Sequence, residues 1–336
     1  MGYKESIDKL VDELPIFTGS FLVTGATGLI GSCLIDVLVA ANKKGSSFKI
    51  YALGRSKEKI TKRFGNEVVP VEQDIAIPLN EEASFDYIIH CASNADPKSY
   101  ALQPVETILT NVIGTKNVLD YCKKHLCSRM LLTSTFEVYG SIEGCSSYHE
   151  EMSGVIDQTV LRNGYPESKR CCELLLRSYV DEYKVNAVIV RLPSVYGPTM
   201  LKSDSKAHAQ FIKNALNHKD IVLKSKGEQR RTYCYVVDAV SGLFKVLFDG
   251  TTGESYNISN ENSVASIAEV ARTCAEIAGT KVIFDMPDEI EAKGFSRSKD
   301  CILDNSKLRR LGWSAKYSLH DGLAETISFL EEEGCL

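Results

Sequence analysis

Phe21-Leu-Val-Thr-Gly-Ala-Thr-Gly-Leu-Ile-Gly31 decides how this chain reads. Phe21-Leu22-Val23 is an apolar run of the length of a buried strand. Gly25, Gly28 and Gly31 follow at three-residue spacing, and an apolar-periodic stretch from Leu29 to about Ala41 predicts a helix. Gly25 permits a tight turn, and Gly28 lets backbone N–H groups approach a pyrophosphate. Gly31 brings the helix close to its strand, with the helix N-terminus facing the phosphates. Strand, glycine turn and helix in this order are the setting in which such a motif binds a dinucleotide. The spacing is GxxGxxG after Thr24 rather than GxGxxG, and a glycine turn alone equally joins any strand to any helix. The rest of the chain has to decide.

Residues 1–19 read as a short amphipathic helix leading into that strand. Further strands are expected at 48–53, 68–71, 86–92, 130–134 and 187–191, alternating with helices at 56–64, 104–125 and 166–183. Pro104 opens the longest helix, a position where proline is tolerated. Several strands are continuous apolar runs, which predicts an α/β fold with a parallel, doubly wound sheet covered on both faces. Beyond Gly197 the elements shorten. Helices are expected near 205–217, 237–248, 264–278 and from Leu319, with strands near 221–223, 232–236 and 281–285. The expected division is a dinucleotide-binding domain over 1–197 and a smaller α/β lobe over 198–336, some of whose elements return to the first. The polar stretch 288–300 reads as a loop. Ligands of open α/β sheets lie beyond the strand C-ends. Thr24-Gly25, Leu53-Gly54, Ala92-Ser93, Ser134-Thr135 and Leu192-Pro193 should therefore converge on one crevice beneath the second lobe.

The 336 residues carry 39 basic and 44 acidic side chains, interspersed, for a net charge of −5. No basic stripe points to nucleic acid and no polybasic run to a membrane surface. The first fifteen residues are charged and lack an apolar core, so no secretory signal is expected. The 11 cysteines are odd in number and scattered, and Cys122 and Cys127 lack a second pair or clustered histidines. We expect no metal, no structural disulfide, and a reducing, cytoplasmic setting. Cys171-Cys172 reads as core and near-core thiol.

Two stretches carry chemistry. Tyr165 and Lys169, in Tyr165-Pro-Glu-Ser-Lys169, are four apart on one face of a helix start. A phenol is a poor base at neutral pH, but a nearby ammonium or oxidised nicotinamide stabilises its anion. Such a pair can take a proton from a sugar hydroxyl while hydride leaves the same carbon. The second stretch, Thr133-Ser-Thr-Phe-Glu-Val-Tyr-Gly140, places hydroxyls and a carboxylate just past a central strand.

The glycine turn, these two stretches, Arg191-Leu-Pro-Ser-Val-Tyr-Gly-Pro198 and Arg231-Thr-Tyr-Cys-Tyr-Val236 occur in one order along the chain. In that combination the sequence resembles, over nearly its whole length, the extended short-chain dehydrogenases/reductases that modify nucleotide sugars. The resemblance implies a Rossmann-type sheet with a C-terminal substrate lobe and a bound NAD. It implies Thr135 as the hydroxyl on the reacting sugar oxygen, Tyr165 as base and Lys169 on the nicotinamide ribose, with Glu137 assisting. Around the cofactor it places Gly25, Thr27, Gly28, Leu29, Ile30, Gly31, Arg55, Ala92, Ser93 and Pro193, with Asp74 and Ile75 beside the adenine and Asn111 near Lys169. Tyr100, Thr135, Ser194 and Arg231 would hold the substrate, a nucleotide-diphosphate sugar, with Arg231 clamping the diphosphate. Relatives pair through helices matching 104–125 and 166–183, so a homodimer is expected.

Within that family His90-Cys-Ala-Ser-Asn-Ala-Asp-Pro-Lys-Ser-Tyr100 and Pro104 to Asn111 look most like UDP-glucuronate decarboxylases. That branch implies oxidation at C4, loss of CO2 from the resulting β-keto acid, and return of hydride with the cofactor regenerated. Three positions depart from it. Phe136 stands where the decarboxylases have serine and the 4,6-dehydratases aspartate, and Ser194 where asparagine is usual. Gly54-Arg55 replaces the acidic residue on the adenosine ribose, which leaves NADP open. Arg297 and Lys299 are the candidates for the sugar carboxylate. A 4-epimerase is the near alternative. An NADPH-dependent ketone reductase and a non-catalytic dinucleotide sensor are more distant ones.

Overall fold

The computed structural model describes residues 2–79, 84–285 and 300–334. The chain opens with α1 (Tyr3–Asp12) and then alternates β1 (Thr18–Thr24), α2 (Leu29–Lys43), β2 (Ser47–Gly54), α3 (Lys57–Phe64), β3 (Val69–Glu72) and β4 (Tyr87–His90). There follow α4 (Pro97–Leu102), α5 (Pro104–His125), β5 (Arg129–Thr135), β6 (Ser147–Tyr148), α6 (Gly164–Tyr183), β7 (Ala187–Leu192) and β8 (Ser194–Tyr196). The second half adds α7 (Ala207–Leu216), β9 (Ile221–Leu223), β10 (Arg230–Tyr235), α8 (Val236–Asp249) and β11 (Ser255–Asn257). It ends with β12 (Val264–Ser266), α9 (Ile267–Ala278), β13 (Val282–Phe284), β14 (Ile302–Leu303), α10 (Ser306–Arg310) and α11 (Leu319–Glu332).

Seven strands form one sheet in the order β11-β7-β5-β4-β1-β2-β3, every pairing parallel. The order reverses between β1 and β4, which opens a crevice at their C-ends. Side chains alternate across the sheet as strand geometry requires. Leu22, Ile88, Met130, Leu132 and Ile189 face α5 and α6, packing on Val118, Leu119, Cys172 and Leu176. Phe21, Val23, Ile89, Leu131 and Val188 face the other way, onto Leu34, Val37, Leu243 and Val246 of α2 and α8. Smaller sheets, β12-β10-β8, β13-β9 and β14-β6, tie strands of the second half to β8 and β6 of the first.

Three local features differ from the sequence expectation. The helix expected from 264 begins at Ile267, because the Ser266 side chain accepts from the Glu269 N–H and Glu269 returns a bond to the Ser266 N–H. Residues 264–266 instead pair antiparallel with β10. Asp96 accepts from the N–H groups of Lys98 and Ser99 and starts α4, a helix the apolar periodicity does not announce. Cys171 is exposed while Cys172 is buried, so only the second is a core thiol. Of the stretch 288–300, only Asp300 is among the described residues; Arg297 and Lys299 lie outside them. Among the described residues no helix is long and apolar enough to cross a membrane.

Candidate active site

The glycine turn has the form its spacing implies. Gly25 has φ +66°, and a Cβ there would meet the backbone of Cys91 and Ala92 at 2.9 Å. Gly28 is the residue preceding α2, and no side chain caps that helix. A Cβ on Gly31 would stand 2.4 Å from the Gly25 carbonyl oxygen. β1 and β4 are tied at this point: the Ala92 N–H donates to Thr24 Oγ1, which lies 2.7 Å from His90 Nδ1. Burial, with Lys169 adding to it, pushes the His90 imidazole down to about 3, so it is neutral at working pH. An uncapped helix start behind a turn with no room for side chains fits a pyrophosphate. Thr27, Leu29 and Ile30 are half-buried around it, and Arg55 is exposed just past β2.

Across the crevice Asp74 is exposed, its carboxylate accepting from the Ala76 N–H. Ile75 is buried against Gly114 of α5, and its carbonyl accepts from Asn117 Nδ2 at 2.9 Å. Asn111 joins three elements: it accepts from Ser93 Oγ at 2.7 Å and donates to Ser168 Oγ at 2.8 Å. Ser168 Oγ in turn donates to the Tyr165 carbonyl. The end of β4 and the first turn of α6 are thereby fixed to one another.

Tyr165 and Lys169 come together with the end of β5. Lys169 Nζ donates to the Thr133 carbonyl at 3.0 Å, and Thr135 stands near enough to the Tyr165 hydroxyl to ease its ionisation. Burial lowers the ammonium's pKa, opposed by Cys172, Cys91 and Glu173. The phenol behaves otherwise than expected from a neighbouring lysine. Burial pushes it well above the usual tyrosine range, Glu137 and Tyr100 push it further, and the nearby Thr135 hydroxyl opposes them. One of the three ammonium donors is committed to the Thr133 carbonyl.

One functional side chain has no counterpart in the sequence reading. Arg162, three residues before Tyr165, donates to Glu137 Oε2 at 3.0 Å and lies 5.2 Å from the centroid of the Tyr100 ring. Tyr100 itself stacks on Tyr165, with centroids 4.9 Å apart and planes at 19°. Arg162 sits in a 3-10 turn with no periodic pattern; the only sequence signal is a cation next to the YPESK stretch. Toward the second lobe Pro193, Ser194, Phe136, Cys301 and Arg231 close around one cleft, the Arg231 guanidinium 5.5 Å from the Phe136 ring centroid. Ser194 pairs with Tyr233 of β10, so β8 and β10 bring Ser194 and Arg231 to the same cleft. Among the described residues no group of three His, Cys, Asp or Glu side chains could hold a metal ion.

A doubly wound parallel sheet with an uncapped glycine turn at its switch point defines a dinucleotide-binding enzyme fold. The chain belongs to the NAD dependent epimerase/dehydratase family, whose model matches residues 21–259. NAD is accordingly its cofactor. It is 34% identical to UDP-glucuronic acid decarboxylase 6 of Arabidopsis thaliana over 90% of this chain and 86% of that one. Among solved structures it resembles the dTDP-glucose 4,6-dehydratase of Streptomyces venezuelae with NAD bound (TM-score 0.79, 25% identity, 93% and 97% of the two chains). It shares the fold of the UDP-glucose 4-epimerase of Thermotoga maritima (TM-score 0.79, 22% identity, 94% and 99%).

Proposed function

We propose that the protein decarboxylates UDP-glucuronate through transient oxidation at C4, Tyr165, Thr135, Lys169 and Glu137 being the catalytic residues. The observation that carries this reading is Arg162. A guanidinium beside the Tyr100–Tyr165 stack offers a hexuronate carboxylate a bidentate partner, which a neutral 4-epimerase substrate does not need. NAD held by the glycine turn, with Asp74 and Ile75 at the adenine and Lys169 and Asn111 at the nicotinamide end, supplies a reversible hydride acceptor.

Thr135 orients the C4 hydroxyl and Tyr165 takes its proton. Burial raises the pKa of the Tyr165 phenol, and an oxidised nicotinamide held beside it would favour the phenolate that accepts this proton. Arg162 exchanges Glu137 for the sugar carboxylate, which lies β to the C4 ketone; breaking its bond to C5 releases CO2 and leaves the electron pair in the C4–C5 enolate, which takes a proton from solvent at C5. Tyr165 returns its proton to the C4 oxygen when hydride comes back. Arg231, with Ser194 beside it, holds the diphosphate. The absence of an acid at Phe136 argues against elimination of water by the dehydratase route.

Val105, Ile108, Leu109 and Ile113 of α5 and Leu174 of α6 are exposed large hydrophobics on the two helices that pack together, which supports a homodimer through this face. Ten free cysteines among the described residues suit a reducing cytoplasm.

Mass spectrometry of UDP-glucuronate incubated with the protein tests the reading. Loss of about 44 mass units, one CO2, is expected, with NAD released on denaturation. Arg162→Met should raise KM for UDP-glucuronate at least tenfold (about 1.4 kcal/mol) while leaving NAD content unchanged. Turnover of UDP-glucose but not of UDP-glucuronate would replace this reading with the epimerase.

A further inference from the structure

Glu173 is a carboxylate nearly removed from water that the chemistry above leaves unused. It is 3% exposed, one helical turn beyond Lys169 on α6. Arg191 of β7 grips it with two bonds, Nε to Oε1 at 3.0 Å and the second nitrogen to Oε2 at 2.7 Å. Ser134 Oγ donates to the same Oε1 at 2.6 Å. Arg191 has no freedom of its own: its remaining nitrogen donates to the Glu150 carbonyl, and its guanidinium lies 4.7 Å from the Tyr139 ring centroid.

The arrangement around it is a ladder. Two consecutive residues of β5 each hold one residue of α6, Thr133 the Lys169 ammonium through its carbonyl and Ser134 the Glu173 carboxylate, and Thr135 follows them beside Tyr165. Tyr165, Lys169 and Glu173 are spaced by four and share one face of the helix. Ser134 continues the Met130 and Leu132 alternation toward α6, which is why its side chain reaches that face. Only the Thr133–Lys169 rung touches the chemistry.

Stability does not account for the Ser134–Glu173 rung. A buried ion pair loses much of its attraction to desolvation, and apolar residues of similar volume commonly replace one without loss. We propose that Glu173, clamped by Arg191 and Ser134, is a positioning residue that fixes the register of α6 on β5. It thereby fixes where Tyr165 and Lys169 stand relative to Thr135 and the reacting carbon. The inference rests on reading Tyr165 and Lys169 as the catalytic pair.

The test is Ser134→Ala, which removes the rung and leaves the ion pair intact, assayed for kcat, KM and NAD content with UDP-glucuronate. A misplacement of a fraction of an ångström should lower kcat about tenfold. KM and bound NAD should stay at wild-type values, and Ser134→Thr, which keeps the hydroxyl, should recover most of the rate. Wild-type kcat in Ser134→Ala overturns the inference, as does a loss shared equally by kcat, KM and NAD content. The double variant Glu173→Leu/Arg191→Met should keep its thermal midpoint and lose rate; full activity there also overturns it. Wild-type protein inert toward UDP-glucuronate, or an active Tyr165→Phe variant, would count against the reading of the site instead.

Discussion

Replacing Gly31 by alanine puts a methyl group 2.4 Å from the Gly25 carbonyl oxygen and 3.0 Å from the Ala26 Cα. An ordinary contact begins at 3.4 Å, so the turn and α2 must separate by roughly 1 Å. The obstacle is backbone, and no rotamer relieves it. Both sides are also anchored: the Gly28 N–H donates to the Gly25 carbonyl, Ser32 Oγ to the Ala26 carbonyl and the Ala26 N–H to the Leu53 carbonyl. Alanine gains about 1 kcal/mol in helix propensity over glycine, against about 1–3 kcal/mol for overpacking. The fold should therefore lose about 2 kcal/mol at most. Cofactor binding should lose more, because the separated N–H groups no longer meet one pyrophosphate together. One charged hydrogen bond at about 1.5–3 kcal/mol corresponds to roughly a tenfold to 150-fold weaker Kd for NAD. Titration calorimetry with NAD and the urea midpoint, measured together, read the two effects separately. Gly28→Ala is the companion: its methyl would sit 3.3 Å from the Gly25 oxygen at an ordinary negative φ, so the midpoint should hold while NAD affinity falls. A Gly31→Ala protein that binds NAD as tightly as the wild type would refute the idea that this contact sets the cofactor site.

Arg231→Ala should weaken UDP binding at least tenfold in calorimetry without changing NAD content; unchanged affinity would remove Arg231 from the diphosphate site. Leu109→Glu places a charge in the exposed apolar face of α5 and should shift the protein to monomer in analytical ultracentrifugation, with its thermal midpoint kept if the face lies in solvent. Asp238 gives a pH dependence. Burial pushes its carboxyl up to about 6 from 3.8, opposed by bonds from the Tyr317 and Lys316 N–H groups. A raised folded-state pKa means that the stability linked to this proton is complete below about pH 4 and is lost as pH rises through about 6. Urea midpoints of the wild type should fall relative to Asp238→Asn across that window, and parallel curves would contradict the assignment.

What could be read from the sequence is what repeats locally. Alternating apolar runs located the strands of the large sheet from β1 to β7, and the 3.6-residue period located α2, α5 and α6, because burial on two faces leaves those periods in the chain. β11 left no such trace: Ser-Tyr-Asn is three residues, and its place at the sheet edge is set by pairing with β7, more than sixty residues upstream. Arg162 escaped for a related reason, since its role comes from Glu137 and Tyr100, which approach from other elements. The Ser134–Glu173–Arg191 contact was equally hidden: Ser134 and Arg191 stand in stretches the sequence marked out, but nothing in it places Glu173 of α6 between them.

Tyr165 shows how spacing and environment divide the chemistry. The i, i+4 pattern correctly put it with Lys169 on one helical face, but spacing carries no information about desolvation. In the folded chain Tyr165 is stacked on Tyr100 and nearly excluded from water, and Lys169 is turned to the Thr133 carbonyl. A phenol so placed holds its proton more tightly than free tyrosine does. Proton removal by Tyr165 therefore requires a positive charge or a hydrogen bond that offsets this burial, which the i, i+4 spacing by itself does not supply.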